Sequence, residues 1–436
     1  MLDRFQKRSP QVSTIIHSRK ASAVKVRDLF PLLDSSARDW VFEARLLRWL
    51  TFLWLFVGLV ALFSASYAIA DADFGDGLYY VERQLLWMLA GLVCFSILVN
   101  SPLKFILGVS DWLMLLVLGL ILLTLVPGLG TTVNGATRWL AIGPLPILQP
   151  SELIKPFLVL QSARVFGHWT RLRPETRLTW LGIFTLLLVS ILLQPNLSTA
   201  ALCGMLLWLM ALASGIPLTQ LGGTALAGLL AALISVGLRE YQRARIMSFL
   251  NPWADPTENG YQLIQSLLAV GSGGVFGQGF GMSQQKLFYL PIQFTDFIFS
   301  VFAEEFGLVG GVLLLTLLIA FAAVGLRVAL KAQQGVHQLV AIGVVTLLVG
   351  QSLLNIGVAT GALPTTGLPL PMFSYGGSSM IASLVSAALL IRVARESAGT
   401  NKVLPLRDRT IPTRTAQRNA LPPARPNKQR GDRSPI

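Results

Sequence analysis

Long apolar stretches limit the fold of this chain more than any other feature. A helix needs about 20 residues to cross the hydrocarbon core of a bilayer, and apolar stretches of that length recur along most of the sequence. Only 13% of the 436 residues are charged, whereas an ordinary soluble domain carries about 25%. So few charges cannot cover a water-soluble body of this size. A soluble enzyme, a disordered chain and a secreted disulfide scaffold are therefore excluded, and the sequence predicts an all-α polytopic membrane protein.

Ten transmembrane helices are expected, and they define the domains. They are predicted at residues 49–70, 84–100, 105–126, 151–168, 178–194, 197–213, 217–238, 297–327, 337–362 and 376–395. Residues 178–213 are too long for one crossing, and Gln194-Pro195-Asn196 supplies the break. The ten-helix membrane domain spans 49–395, between a basic N-terminal tail at 1–48 and a basic, disordered C-terminal tail at 396–436.

Basic residues are concentrated at the two ends of the chain. The formal net charge is +14; residues 1–48 hold ten basic and five acidic residues, and residues 392–436 hold eleven and three. With both tails in the cytoplasm, inner segments hold 28 of the 35 Lys and Arg residues and outer segments hold six. That bias predicts two cytoplasmic termini. Nucleic-acid binding is less favoured, because the tails lack aromatic–basic interleaving and any binding motif.

Three outer loops follow from this orientation, at 127–150, 239–296 and 361–375. The second has 58 residues and apolar parts, which should pack on the membrane face. Structureless loops beyond about 15 residues are usually functional or disordered, so we expect the functional site on the outer face.

Asp296 ends the largest outer loop, directly before the eighth predicted span. One interpretation is a helix N-cap, for which Asp is a preferred residue. The other is a general base at the water–membrane boundary, where partial desolvation raises the pKa of a carboxylate. The spacing alone leaves both open.

Several further ionisable residues fall within the predicted spans. Lys155 lies one turn below the outer surface, with Glu152 three residues earlier on the same helical face. It is either a snorkelling lysine or part of a functional site. Glu304 lies closer to the helix face of Asp296 than Glu305 does. We therefore assign Glu304 to the same cavity and expect Glu305 to form a structural pair.

Several basic residues are predicted on the outer side, where the positive-inside rule makes Lys and Arg less frequent, which suggests that they have a function there. Arg138, Arg243 and Arg245 could bind phosphate or pyrophosphate oxygens through their planar guanidinium groups, or they could simply be solvated. Trp139 stands beside Arg138 in the first outer loop. Two cysteines and three scattered histidines form no metal motif.

Several motifs resemble one family when read in order. They are NGATRW at 134–139, QPSELIK at 149–155, QPNLST at 194–199, GYQ at 260–262, TDFIF at 295–299, AEEFG at 303–307, LPTTGLPLP at 363–371 and SYGGSS at 374–379. Together they resemble the SEDS family, which comprises FtsW, RodA and SpoVE, over residues 49–395. The long N-terminal tail and the sequence motif at 363–371 are more similar to the division branch than to the elongation branch.

The resemblance implies a membrane glycosyltransferase that polymerises lipid II into peptidoglycan outside the bacterial plasma membrane, at the division septum. It implies Asp296 as the catalytic residue, a class B penicillin-binding transpeptidase as partner, and other division proteins. The family commonly has Asp-Leu-Gly-Thr where this chain has Asn196-Leu197-Ser198-Thr199, so we give Asn196 no catalytic or metal role. A lipid II flippase, an elongation polymerase and a non-enzymatic scaffold are the alternatives.

The residue inventory suits this chemistry. Asp296 can accept the proton of a sugar hydroxyl. The lipid pyrophosphate needs only positive charge as it departs, from Arg138, Lys155, Arg243 or Arg245, or from a divalent cation such as Mg²⁺ or Mn²⁺ whose ligands the sequence does not identify. With one candidate carboxylate at this depth, we predict direct displacement with inversion.

Overall fold

A computed structural model describes residues 40–133, 136–140 and 148–400. The chain divides into two compact units, Met1–Ser397 and Ala398–Ile436, and the helical body is the first. Most of both tails, and the Asn134-Gly135 pair of the first motif, lie outside the described residues. Predictions about them stay predictions.

A helix overlaps most of each of the ten predicted ranges. Within the described residues the α-helices are α1 (Phe42–Phe74), α2 (Tyr79–Asn100), α3 (Leu103–Leu123), α4 (Pro150–Gly167), α5 (Pro174–Leu193), α6 (Leu197–Ala213), α7 (Leu218–Leu238), α8 (Glu240–Leu250), α9 (Tyr261–Ser272), α10 (Ile298–Lys331), α11 (Gly335–Ala359) and α12 (Gly377–Thr400). Eight of them (α1, α2, α3, α5, α7, α10, α11 and α12) are long and apolar enough to cross a membrane. The protein is therefore a polytopic helical membrane protein.

Two of the predicted spans, α4 and α6, fall short of that description for different reasons. α4 carries Glu152, Lys155 and Arg164 within its 18 residues, and α6 is a shorter apolar helix of 17 residues. Local sequence still fixes where they begin. Pro150 occupies the first turn of α4, and the side chain of Asn196 caps α6 by accepting a hydrogen bond from the Thr199 amide at 3.3 Å. Asn196 thus has a structural role.

The structure differs from the sequence prediction at both ends of the membrane domain. α1 begins at Phe42, because Arg48 lies against the rings of Trp40 and Trp49 and does not end the apolar stretch. At the other end α12 continues past residue 395, where Arg392 pairs with Glu396 one turn later. Residues 42–48 and 396–400 are therefore helical.

The three loops predicted on the outer side, which are called outer loops below for that predicted position, contain structure that the all-α prediction omitted. In the first, strands β1 (Gly130–Val133) and β2 (Ala136–Leu140) form an antiparallel hairpin, and Leu140 and Leu148 form an isolated bridge. The second contains α8 and α9, and α9 packs against α10 and α11. Strands this short do not show a two-residue period, which explains why the sequence did not reveal them.

Packing is uneven across the helices. α12 is almost wholly enclosed by protein, whereas α7 is exposed along nearly its whole length. Most of the core lies among α1, α3, α4, α6, α10, α11 and α12. Large rings fill it, as where Trp54 meets Phe321 edge to face at 5.6 Å between ring centroids.

Helix α10 is interrupted, and the glycine-rich run of the second outer loop completes it. Gly307 has φ 63°, so the helix breaks there. Four backbone hydrogen bonds of 2.9–3.1 Å replace those lost at the break: Leu308 and Val309 donate to the carbonyls of Gly274 and Val275, and Gln278 and Gly279 donate to those of Glu304 and Glu305. A Cβ on Gly277 would lie 2.1 Å from a carbonyl oxygen of α10. The glycines therefore permit close backbone approach.

Candidate active site

Asp296 lies just outside α10, and its side chain is not a helix cap. The N-cap of α10 is Phe297, and no side-chain hydrogen bond caps this helix. Among the residues that the structure describes, the Asp296 carboxylate has no hydrogen-bond donor and no ion pair, and the residue is partly exposed. The N-cap interpretation is therefore wrong. A carboxylate without a protein partner, next to solvent, is available to a substrate.

Two arginines approach Asp296 from different elements. Gly367, in the third outer loop, lies between Asp296 and Arg245: a Cβ built on it would be 3.4 Å from the Asp296 Oδ2 and 3.6 Å from the Arg245 Nη1. With φ 71°, this residue adopts a conformation that favours glycine. Arg245 is held by the Thr365 carbonyl, which accepts from Nη1 at 3.3 Å, and by the ring and hydroxyl of Tyr241.

Arg138 belongs to strand β2 and is fixed by the turn between α5 and α6. Its Nε donates to the carbonyl of Gln194 at 3.0 Å, and its Nη2 donates to that of Pro195. These two backbone acceptors are its hydrogen-bond partners among the described residues, which leaves the remaining N–H groups of the guanidinium available to another group. The predicted outer-face arginine is therefore positioned and not merely solvated.

The surroundings of Asp296 change its proton affinity. Burial raises the pKa of its carboxyl above the ordinary value, Arg245 and then Arg138 oppose that rise, and Glu152 adds to it. Desolvation dominates because the guanidinium groups are near without forming an ion pair. A carboxylate with a raised pKa is a better proton acceptor than an exposed one.

Glu152 and Lys155 form a buried ion pair beneath this group. The Lys155 ammonium donates to Glu152 at 2.6 Å and to the Gln351 side chain at 2.9 Å, and only 2% of Lys155 is exposed. The snorkelling interpretation is therefore wrong. Gln351 in turn donates to the Pro369 carbonyl at 2.7 Å, which connects the pair to the third outer loop.

Three predicted substrate-binding residues are placed less favourably. The Arg243 side chain is 60% exposed, and its Nη2 lies 3.8 Å from the Glu240 Oε1. Arg243 is two residues from Arg245 in the sequence, so the two side chains point to different faces of α8. Trp139 is half-buried and pairs with Thr131 in the hairpin. No hydrogen bond or ion pair joins Arg243 or Trp139 to Asp296 within the described parts of the chain.

The third residue, Glu304, is buried, and residues of the second outer loop donate hydrogen bonds to its carboxylate. Its carboxylate accepts hydrogen bonds of 2.5–3.3 Å from four donors: the Ser272 and Ser283 hydroxyls and the Gln284 and Gln285 amides. These contacts favour a structural role over substrate binding. Glu305 forms the expected structural pair, accepting from Lys286 at 2.8 Å and from Ser64 at 2.5 Å.

The sequence reading missed three residues of this region. Gln351 and Asn355 lie one turn apart on α11 and connect it to the third outer loop, and Gly367 lies against Asp296. The available signal was the spacing of two amides in an otherwise apolar helix, since polar residues within a membrane need partners.

The donor set for a metal ion is sparse. Within residues 40–133, 136–140 and 148–400, no group of three or more His, Cys, Asp and Glu side chains could hold a metal ion. The described side chains therefore form no cage made of protein ligands alone, whereas Mg²⁺ usually binds through one or two carboxylates together with substrate phosphates. The predicted divalent cation stays a prediction.

Comparison with known proteins identifies the family. The model described as "Cell cycle protein", which represents FtsW, RodA and SpoVE, matches residues 44–399. The chain belongs to this family. The predicted SEDS membership is thereby confirmed. Among similar proteins, the "Probable peptidoglycan glycosyltransferase FtsW" of Synechocystis sp. is 58% identical over 89% of this chain and 98% of its own length. Stage V sporulation protein E of Bacillus subtilis is 37% identical over 80% and 96%.

Solved SEDS structures have the same fold. One, titled "Structural coordination of polymerization and crosslinking by a peptidoglycan synthase complex", is 31% identical with a TM-score of 0.64, covering 80% of this chain and 97% of that chain. The rod shape determining protein RodA of Thermus thermophilus is 29% identical with a TM-score of 0.59, over 80% and 96%.

Proposed function

We propose that this protein is a peptidoglycan glycosyltransferase that polymerises lipid II into glycan strands during septal wall synthesis and cell division. The observation that carries the proposal is the Asp296 carboxylate, which is unpaired within the described structure and lies beside the arginines 245 and 138. The names of the similar proteins support it, since the Synechocystis relative is called a peptidoglycan glycosyltransferase.

The geometry suggests how the chain performs the reaction. Asp296 accepts the proton of the acceptor's sugar 4-hydroxyl, and the resulting oxygen attacks C1 of the donor sugar. The bond from C1 to the pyrophosphate oxygen breaks as the new glycosidic bond forms, which inverts the configuration at C1. The pyrophosphate is already a good leaving group, so no second carboxylic acid is needed.

Positive charge stabilises the leaving pyrophosphate. Arg245 and Arg138 are fixed by protein contacts before substrate arrives, which is the condition for effective electrostatic stabilisation. Lys155 contributes less directly, since two of its three donors are occupied. Because the described side chains alone form no metal cage, no step is assigned to a cation.

We further propose the arrangement in the cell. All ten predicted helices cross the plasma membrane at the septum, with both termini cytoplasmic and Asp296 on the outer face. The transpeptidase partner is a class B penicillin-binding protein, as suggested by the similar structure whose title couples polymerization to crosslinking. Other division proteins and lipid II complete the predicted set of partners.

A flippase is the second candidate, and one observation favours it. α10 is interrupted at Gly307, and broken helices mark the binding sites of many transporters. Against it, Glu304 and Glu305 at the break are both occupied by protein donors.

Liposomes with labelled lipid II separate the two candidates. The purified protein is reconstituted with its transpeptidase partner, and labelled lipid II is placed either in the leaflet that faces Asp296 or only in the opposite leaflet. We expect labelled glycan strands from the first sample, and no movement of lipid II to the leaflet that faces Asp296 in the second. Lipid redistribution without strands would refute the polymerase and support the flippase.

A further inference from the structure

The backbone that carries Asp296 is held at three consecutive carbonyls. The Phe294 carbonyl accepts from the Tyr375 amide at 2.9 Å, and the Thr295 carbonyl accepts from the Ser374 hydroxyl at 2.6 Å. The Asp296 carbonyl itself accepts from the Asn355 side chain at 2.7 Å. Successive anchors of this kind remove the freedom of the segment to rotate, although it lies in a loop.

Asn355 differs from the other two anchors because it serves two segments. The same amide nitrogen that bonds Asp296 also donates to the Leu368 carbonyl at 2.8 Å. Both neighbours are carbonyl oxygens, which only accept, so the nitrogen and not the oxygen must face them. The residue is 1% exposed. One buried side chain therefore joins α11, the third outer loop and the residue proposed as the base.

The position of the Asp296 carboxylate depends on this connection. Leu368 follows Gly367, whose backbone is close to the carboxylate: a Cβ built on Gly367 would lie 3.4 Å from the Asp296 Oδ2. The Asn355 amide nitrogen thus binds the carbonyl of Asp296 and the carbonyl that follows Gly367. This double hydrogen bond keeps the Asp296 carboxylate at a fixed separation from the Gly367 backbone, which is called the Gly367 wall below. Gln351, one turn earlier, secures the next carbonyl of the same loop, at Pro369.

We infer that Asn355 is a positioning residue for glycan polymerisation, holding Asp296 against the Gly367 wall at the distance that the attacking hydroxyl requires. This inference rests on the proposed function. Misplacing a catalytic group by about 1 Å costs roughly a hundredfold in rate. A residue that only braces the fold would instead lower stability without altering the proton affinity of Asp296.

Three variants of the full-length chain test the inference. Asn355→Leu keeps the branched shape and the number of heavy atoms in the side chain and removes both N–H donors, while Asn355→Gln retains an amide. Ser352→Ala is the matched control: Ser352 is buried on the same helix, three residues earlier, and within the described residues its hydroxyl donates to the Leu348 carbonyl of α11 at 2.7 Å and to no other group.

Hydrogen exchange, which does not depend on enzyme activity, is the first measurement. We expect Asn355→Leu in detergent to exchange faster than wild type in peptides covering 294–300 and 365–371, and Ser352→Ala to match wild type. If Asn355→Leu exchanges like wild type in both peptides, or if Ser352→Ala accelerates both equally, the inference is overturned. If Asn355→Leu exchanges faster but the wild-type protein makes no glycan strands, the result would support the positioning role of Asn355 and refute the proposed function.

Kinetics is the second measurement, with labelled lipid II and the transpeptidase partner. We expect Asn355→Leu to lower kcat about a hundredfold with KM little changed, and Asn355→Gln to recover part of it. The acid limb of the kcat profile should move to lower pH, because a released carboxylate loses burial while Arg245, Arg138 and Glu152 remain the charges facing it. An unchanged kcat, or a raised KM alone, would overturn the inference.

Discussion

Replacing Lys155 with methionine should destabilise this protein more than most single changes. The lysine is 2% exposed and the glutamate it binds is 3% exposed, with 2.6 Å between Nζ and the carboxylate oxygen. Methionine fills a similar volume but carries no charge. The variant leaves Glu152 buried without a counter-charge, and it leaves the Gln351 side-chain oxygen without its donor.

The magnitude follows from burial. Breaking a buried ion pair by removing one partner costs about 3–5 kcal/mol, whereas replacing both partners with neutral side chains is often nearly neutral. We therefore expect Lys155→Met to lose about 3–5 kcal/mol of stability, and the double variant Glu152→Gln/Lys155→Met to recover most of that loss. The coupling free energy of the pair is the loss of the double variant minus the losses of the two single variants, so Glu152→Gln is measured alone as well.

The assay is thermal unfolding in detergent, followed by tryptophan fluorescence. Arg243→Gln is the control, since Glu240 and Arg243 have the same spacing of three residues but lie 3.8 Å apart on an exposed face. Exposed pairs contribute little, so the control should unfold at the wild-type temperature. If Lys155→Met unfolds no earlier than the control, or the double variant is worse than the single one, the ion pair does not stabilise α4 as argued.

Three further predictions concern the loop glycines and the chemistry. Gly277→Ala should destabilise the fold by about 1–3 kcal/mol, because a positive φ is strained for alanine and the new Cβ would lie 2.1 Å from a carbonyl oxygen. The control in the same thermal assay is Gly271→Ala, whose Cβ would have open space around it. Arg245→Gln should lower kcat about a hundredfold if it stabilises the departing charge, and Arg243→Gln should lower it by less than the Arg245 variant; comparable losses would contradict the placement of Arg243. The polymerisation rate should fall as pH drops through the raised pKa of Asp296, which must be deprotonated to act, and Arg245→Gln should move that limb to still higher pH; a limb at the ordinary carboxyl value of about 4 would contradict the burial argument.

Hydropathy and charge were enough to predict most of the helices. Apolar stretches of membrane-crossing length leave a strong signal, because every such stretch must satisfy its backbone internally. The boundary at Phe42 was missed for the same reason: Arg48 appeared to end the stretch, and only its contacts with Trp40 and Trp49 show that it does not. The hairpin at 130–140 has strands too short for a period to be read.

The candidate site was predictable where one helix or one motif carries it. Glu152 and Lys155 were paired from their spacing, and Asp296 was selected from its place at the boundary and from the family resemblance. Arg243 and Glu304 illustrate the limit. The rotation of α8 about its axis, which turns Arg243 away from Asp296, cannot be predicted from the sequence, and neither can the hydrogen-bond donors that surround the buried Glu304 carboxylate. The amide spacing on α11 could have drawn attention to Asn355, but its partners could not be found, since they are backbone carbonyls 59 and 13 residues away in sequence.

The central claim is that the Asp296 carboxylate is the base for glycan polymerisation. The most direct measurement is the polymerisation rate of Asp296→Asn at saturating labelled lipid II, with lipid binding and thermal stability measured on the same sample. We predict wild-type binding and stability with strand synthesis abolished, since asparagine keeps the shape and cannot accept the proton. Glycan strands made by Asp296→Asn at a rate near that of wild type would contradict the account.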